Sequence, residues 1–153
     1  MDQHEQTGTV AQDEAYRQPH PQPDGQARAQ GGRALVLFAH GARAPGWAAP
    51  FQRLRELTAA HRPDCVVELA FLELMEPSLP DVAARLAAQG VREMTVVPVF
   101  LGQGGHLLRD LPALLDELRA AYPAVRFATV PAVGEDPGVL AAMAAYCVAA
   151  LPA

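Results

Sequence analysis

The sequence predicts a three-layer αβα domain built on a four-stranded parallel sheet, and three observations carry that prediction. Short apolar runs occur without the in-out alternation of a half-exposed strand, as expected for strands buried on both faces. Segments of helix length separate these runs, giving the order βαβαβαβα. Finally, 153 residues of which half are hydrophobic and 19% charged suit one core, with about 120 residues left for it after a polar N-terminal stretch.

The elements follow in order. Residues 1–32 hold seven glutamines, three prolines and five acidic residues, with no Leu, Ile, Phe or Trp to bury, and read as a disordered tail. They lack the charged, apolar and small-residue regions of a secretory leader. The folded domain then spans 33–153. Ala34 to Ala39 is a continuous apolar run ending at His40-Gly41, the first strand. Ala48 to Ala60 carries helix formers, with Phe51, Leu54 and Leu57 spaced three apart, and His61-Arg62-Pro63-Asp64 stops it. Cys65 to Leu72 is the second strand. Ser78-Leu79-Pro80-Asp81 caps a helix that runs through Val82 and Leu86 to Gly90. Arg92 to Phe100 is the third strand, and Gly102-Gln103-Gly104-Gly105 leads into a helix over 107–122 with Leu111, Leu114, Leu115 and Leu118 on one face. Val125 to Val130 is the fourth strand, and an alanine-rich helix over 136–150 ends the domain. Four strands and alanine-rich helices bury little area, which points to a homodimer.

Composition narrows the function. Seventeen acidic against twelve basic residues leave a net charge of -5, with no basic run to track a phosphate backbone, so nucleic acid is not an expected partner. Every apolar run breaks before the roughly 18 residues of a membrane span. Cys65 and Cys147 stand far apart, which fits a reduced, cytoplasmic setting and small packed hydrophobes rather than a disulfide framework or metal knuckle.

In an open parallel sheet, ligands bind beyond the carboxyl ends of the strands, where strand order reverses. With the flavodoxin-like order 2-1-3-4, the loops after strands one and three flank one crevice. His40 ends the first strand and His106 opens the helix after the third. The second strand runs into Leu72-Glu73-Leu74-Met75-Glu76-Pro77, which brings Glu73 and Glu76 near His40. Two imidazoles and a carboxylate form a ligand set for Zn, Co, Ni or Fe with open positions. Arg43 and Arg109 add positive charge to the rim. Gly102, Gly104 and Gly105 let backbone N–H groups approach a ligand, next to the positive end of the following helix. Trp47 is either a packing residue or a flat wall for a planar ligand, and His61 is an ordinary helix-terminal residue.

Three stretches together, Leu37-Phe38-Ala39-His40-Gly41-Ala42-Arg43, Phe71 to Leu79 and Val97 to His106, resemble the sirohydrochlorin chelatases of the CbiX/SirB type, over Ala34 to about Leu151. The resemblance implies a class II tetrapyrrole chelatase in a short, single-module form, a homodimer that inserts Co2+, Fe2+ or Ni2+ into sirohydrochlorin for cobalamin or sirohaem synthesis. The metal is then a substrate, with no tightly bound cofactor. It also implies that His40 and His106 hold the metal, that His40 accepts a proton, and that Glu73 assists. Glu76, with Leu101, Gly102, Gln103, Gly104 and Gly105, would contact the macrocycle, while Arg43 and Arg109 would meet its carboxylates. The chemistry suits these types, because insertion exchanges two pyrrole protons for a dication and an imidazole both accepts protons and binds metals. Ala42 stands where the family loop carries serine, which removes a hydroxyl beside His40. The competing reading is a non-catalytic protein that binds or delivers Co or Ni. Phosphoryl chemistry lacks its Arg-His-Gly order or phosphate loop here.

Overall fold

The computed structural model describes residues 32–152 apart from Gln103, and the side chains of His106, Leu107 and Leu108 lie outside the description. The tail reading for the N-terminal stretch therefore falls, but for Gly32, outside the described residues. The element order is β1 (Arg33–Ala39), α1 (Ala49–His61), β2 (Val66–Phe71), α2 (Leu79–Ala88), β3 (Glu93–Pro98), α3 (Gly105–Ala121), β4 (Arg126–Thr129) and α4 (Pro137–Ala149), with a 3-10 turn at Val133–Glu135 before α4. All strands are parallel in the order β2-β1-β3-β4, as expected. Among the described residues no helix is long and apolar enough to cross a membrane.

β1 is central because nearly all of it is apolar. Val36 and Phe38 face one way into the larger core with Val82, Leu86, Met94 and Leu115, beneath α2 and α3. Leu37 and Ala39 face the other way with Val67, Leu69 and Phe71, beneath α1. α2 begins with a reciprocal cap: the Ser78 hydroxyl accepts from the Asp81 N–H, and the Asp81 carboxylate accepts from the Ser78 N–H. Leu111, Leu115 and Leu118 of α3 are buried and Leu114 packs against them, as their spacing predicts.

Two helices bury less apolar surface than their composition offers. In α1, Phe51 and Ala59 pack on the sheet, whereas Leu54 is at the margin and Leu57 is 62% exposed. Steps of three fall 60° short of a full turn each time, so the three residues spiral off the inner face. α4 buries none of its residues, and Cys147 is exposed rather than packed. Cys65 is half-buried just ahead of β2, where loss of water pushes its thiol pKa up.

Candidate active site

The loops after β1, β2 and β3 meet at one end of the sheet because the strands that feed them are neighbours in register. The chain leaving β2 is tied to β1 by the Leu72 N–H donating to the Ala39 carbonyl at 2.8 Å, and the chain leaving β3 by the Val99 N–H donating to the Phe38 carbonyl at 2.7 Å. Gly41 fits against the Glu73 backbone so closely that a Cβ there would overlap the Glu73 carbonyl. This contact, rather than any turn geometry, requires glycine after His40.

These ties bring His40 and Glu73 together. The imidazole Nδ1 lies 2.9 Å from Glu73 Oε1, with both side chains about half exposed. A carboxylate oxygen only accepts, so Nδ1 carries the hydrogen and Nε2 is left with the lone pair. The Phe100 ring backs the imidazole edge-on, 4.6 Å between centroids. The Trp47 indole N–H donates to the His40 carbonyl at 2.8 Å, and its ring tilts against Phe51. Trp47 thus packs against Phe51 and remains 43% exposed.

Of the other candidates, Glu76 and Arg43 are exposed on the loops after β2 and β1. Arg109 is exposed and donates from Nε to the Gly105 carbonyl at 3.2 Å. Leu101 is 61% exposed on the loop after β3. A Cβ at Gly102, Gly104 or Gly105 would meet nothing among the described residues, and all three glycines are exposed. Gly104 caps α3 with no side-chain hydrogen bond, which leaves the first-turn N–H groups of the helix without a side-chain acceptor at the cap. His106 lies in that first turn, but its side chain, like Gln103, falls outside the described residues. Among the described residues no group of three or more His, Cys, Asp or Glu is gathered, so His40 and Glu73 form a pair there.

The sequence did not single out Leu74. It has a left-handed φ of 62° in a three-residue turn closed by the Met75 N–H donating to the Glu73 carbonyl at 2.8 Å. A leucine rarely takes that conformation, and nothing in its local sequence announces it. The turn leaves the Leu74 side chain 60% exposed next to Glu73. Trp47, Leu74 and Leu101 therefore place three exposed apolar side chains on the three loops that surround the His40–Glu73 pair.

The CbiX family profile matches residues 34–148, which includes all three loops. The chain belongs to the CbiX family. Among solved structures, a chain described as a cobalamin (vitamin B12) biosynthesis CbiX protein from Marinobacter aquaeolei VT8 matches with a TM-score of 0.69 and 32% identity, over 76% of this chain and 95% of that one. The sirohydrochlorin chelatase SirB from Bacillus subtilis subspecies spizizenii, solved in complex with cobalt, matches with a TM-score of 0.68 and 26% identity, over 77% of this chain and 50% of SirB. The sirohydrochlorin cobaltochelatase of Methanocaldococcus jannaschii is 38% identical over 82 residues, 54% of this chain and 57% of the relative. This CbiX-family chain thus aligns with little more than half the length of that curated relative.

Proposed function

We propose that this CbiX-family protein inserts a divalent metal, Co2+ first among Co2+, Fe2+ and Ni2+, into sirohydrochlorin, with two copies forming the working unit in a reduced cytoplasm. The observation that carries the reading is the 2.9 Å His40–Glu73 pair set among three exposed apolar side chains. Insertion forms four metal–nitrogen contacts in the ring and releases two pyrrole protons, so the site must hold a dication loosely and take up protons.

Each requirement has a group. Glu73 holds Nδ1 of His40, which directs the Nε2 lone pair to a metal or a pyrrole proton, and His106 supplies a second imidazole from the start of α3. A carboxylate hydrogen-bonded to the imidazole fixes its tautomer and the direction of the ring. Two imidazoles and one carboxylate leave coordination positions open, which an ion destined for release needs. Trp47, Leu74 and Leu101 can lie against the flat face of the macrocycle, while its peripheral carboxylates meet Arg43, Arg109 and the N–H groups of Gly104, Gly105 and the first turn of α3. Glu76 and the Leu101 to Gly105 loop, Gln103 included, border the same ring. The metal enters as a substrate, and no tightly bound cofactor has a role.

The test is anaerobic absorbance of sirohydrochlorin with Co2+, Ni2+ or Fe2+, with and without protein. Acceleration over the protein-free rate is expected, strongest with Co2+. Metal binding with neither acceleration nor any shift of the macrocycle spectrum would instead make the protein a carrier.

A further inference from the structure

The amino ends of the strands, at the end of the sheet away from His40, carry a second cluster of charge. The parallel register sets Arg33 of β1, Glu93 of β3 and Arg126 of β4 side by side. Glu93 pairs with both neighbours, at 3.4 Å to Arg33 and 3.5 Å to Arg126. Arg92 precedes β3, and its carbonyl accepts from the Arg126 N–H at 2.8 Å, which fixes the backbone of these two arginines against each other. Arg119, in the last turn of α3, is held from two sides: Nη2 donates to the Phe127 carbonyl at 3.0 Å and Nη1 to the Asp116 carboxylate at 2.7 Å.

Arg92, Arg119 and Arg126 line one cavity of about 530 Å³, whose remaining wall is made by Glu93, the Pro123 to Val125 connection and Phe127. Charge decides what such a cavity takes. Three guanidinium groups face it against one carboxylate, and counting Arg33 and Asp116, which pair with these groups, leaves two positive charges in excess. The chain as a whole has a net charge of -5, so this end of the sheet runs against its overall sign. Among the described residues Arg92 makes no ion pair, and its Nη1 donates to the Val91 carbonyl at 3.1 Å. Like charges gathered this closely repel, and an anion placed among them removes the repulsion.

A phosphate monoester carries about -1.5 to -2 charges at neutral pH and three acceptor oxygens. It therefore matches both the excess charge and the planar forks of the arginines, whereas a single carboxylate supplies half of what is needed. The cavity is also larger than a bare phosphate and lies within the range of small-molecule sites. We propose that this cavity binds the phosphate group of a small molecule, with Arg92 and Arg126 as its principal contacts and Arg119 as the third. Seven strand residues, Arg33 to Ala39, separate it from His40, about 20 Å. Its ligand is thus distinct from the metal and the macrocycle, and the inference stands whether or not the chain inserts metal.

The test titrates the 15N-labelled full chain with inorganic phosphate and, separately, with adenosine monophosphate, sodium chloride holding the ionic strength constant. The backbone signals of Arg92, Glu93, Arg126 and Phe127 should shift and saturate. Tighter binding of the nucleotide identifies a phosphate monoester as the ligand, and equal binding identifies free phosphate. Arg92→Gln with Arg126→Gln should weaken binding at least tenfold while the circular dichroism is unchanged, and Arg43→Gln with Arg109→Gln, at the other end of the sheet, should leave it as in the wild type. The proposal is overturned if neither titrant gives a saturable shift, or if the shifts are confined to the loops after β1 and β3. Wild-type affinity in the folded Arg92→Gln, Arg126→Gln protein overturns it as well.

Discussion

At the scale of single residues, the site depends on two backbone conditions that no side-chain list shows. Gly41 lets the loop after β1 lie on the Glu73 carbonyl. Gly41→Ala must push the two loops apart and lengthen the His40–Glu73 contact, so insertion should fall at least tenfold, with unfolding in urea easier by about 1–3 kcal/mol from the overlap. An unchanged insertion rate would show that the pair is not needed. Leu74 is the second condition. Its left-handed φ costs about 1 kcal/mol that glycine would not incur. Leu74→Gly should therefore stabilise the protein while raising the apparent Michaelis constant for the macrocycle, because the exposed side chain that would lie against the ring is gone. Stability and affinity falling together would contradict that division. His40, Glu73 and His106 were legible as candidates because a parallel sheet gathers the loops at its carboxyl end. Leu74 was not, since a left-handed leucine is imposed by the loop's closure rather than by its own preference. Phe100, which backs the imidazole, was legible only as the end of a strand.

At the scale of elements, local chemistry and tertiary packing diverge in what they reveal. The start of α2 was readable because Ser78, Pro80 and Asp81 act within one turn. Ser78→Ala should lower the urea stability of the domain by about 1 kcal/mol. The Ser78 hydroxyl and N–H hold the Asp81 carboxyl below its ordinary range, and the Arg62 guanidinium, hydrogen-bonded through Nε and Nη2, holds Asp64 at about 2 against an ordinary 3.8. Both pKa values are depressed on folding, so the stability they add is complete above about pH 4 and is lost as pH falls towards 2. Asp64→Asn should flatten that part of the acid unfolding curve, and a curve of unchanged slope would count against the Arg62 contact. The inner face of α1 was not readable from the sequence, because spacing by threes mimics a helical stripe over two turns and then drifts. What decides the face is which residues meet Leu37, Val67 and Leu69 across the sheet, and those distances in sequence are long.

At the scale of the whole molecule, the alternation of strands and helices pointed to a parallel sheet, and the strands take the flavodoxin-like order expected for one, β2-β1-β3-β4. The exposure of α4 did not follow, because an alanine-rich apolar helix reads as core, and only the packed structure shows that none of its residues is buried among the described ones. A thin four-stranded domain with an apolar helix in the open explains why the expectation of a homodimer and the exposed C-terminal helix express one deficit. The proposed insertion rests on the His40–Glu73 pair moving protons and metal. The most direct measurement compares anaerobic insertion of Co2+ into sirohydrochlorin by the wild type, His40→Ala and Glu73→Gln, with spontaneous insertion subtracted and macrocycle binding followed in parallel. His40→Ala should lose at least a hundredfold in rate and Glu73→Gln about tenfold, while both still bind the ring. Insertion by His40→Ala at the wild-type rate would contradict it.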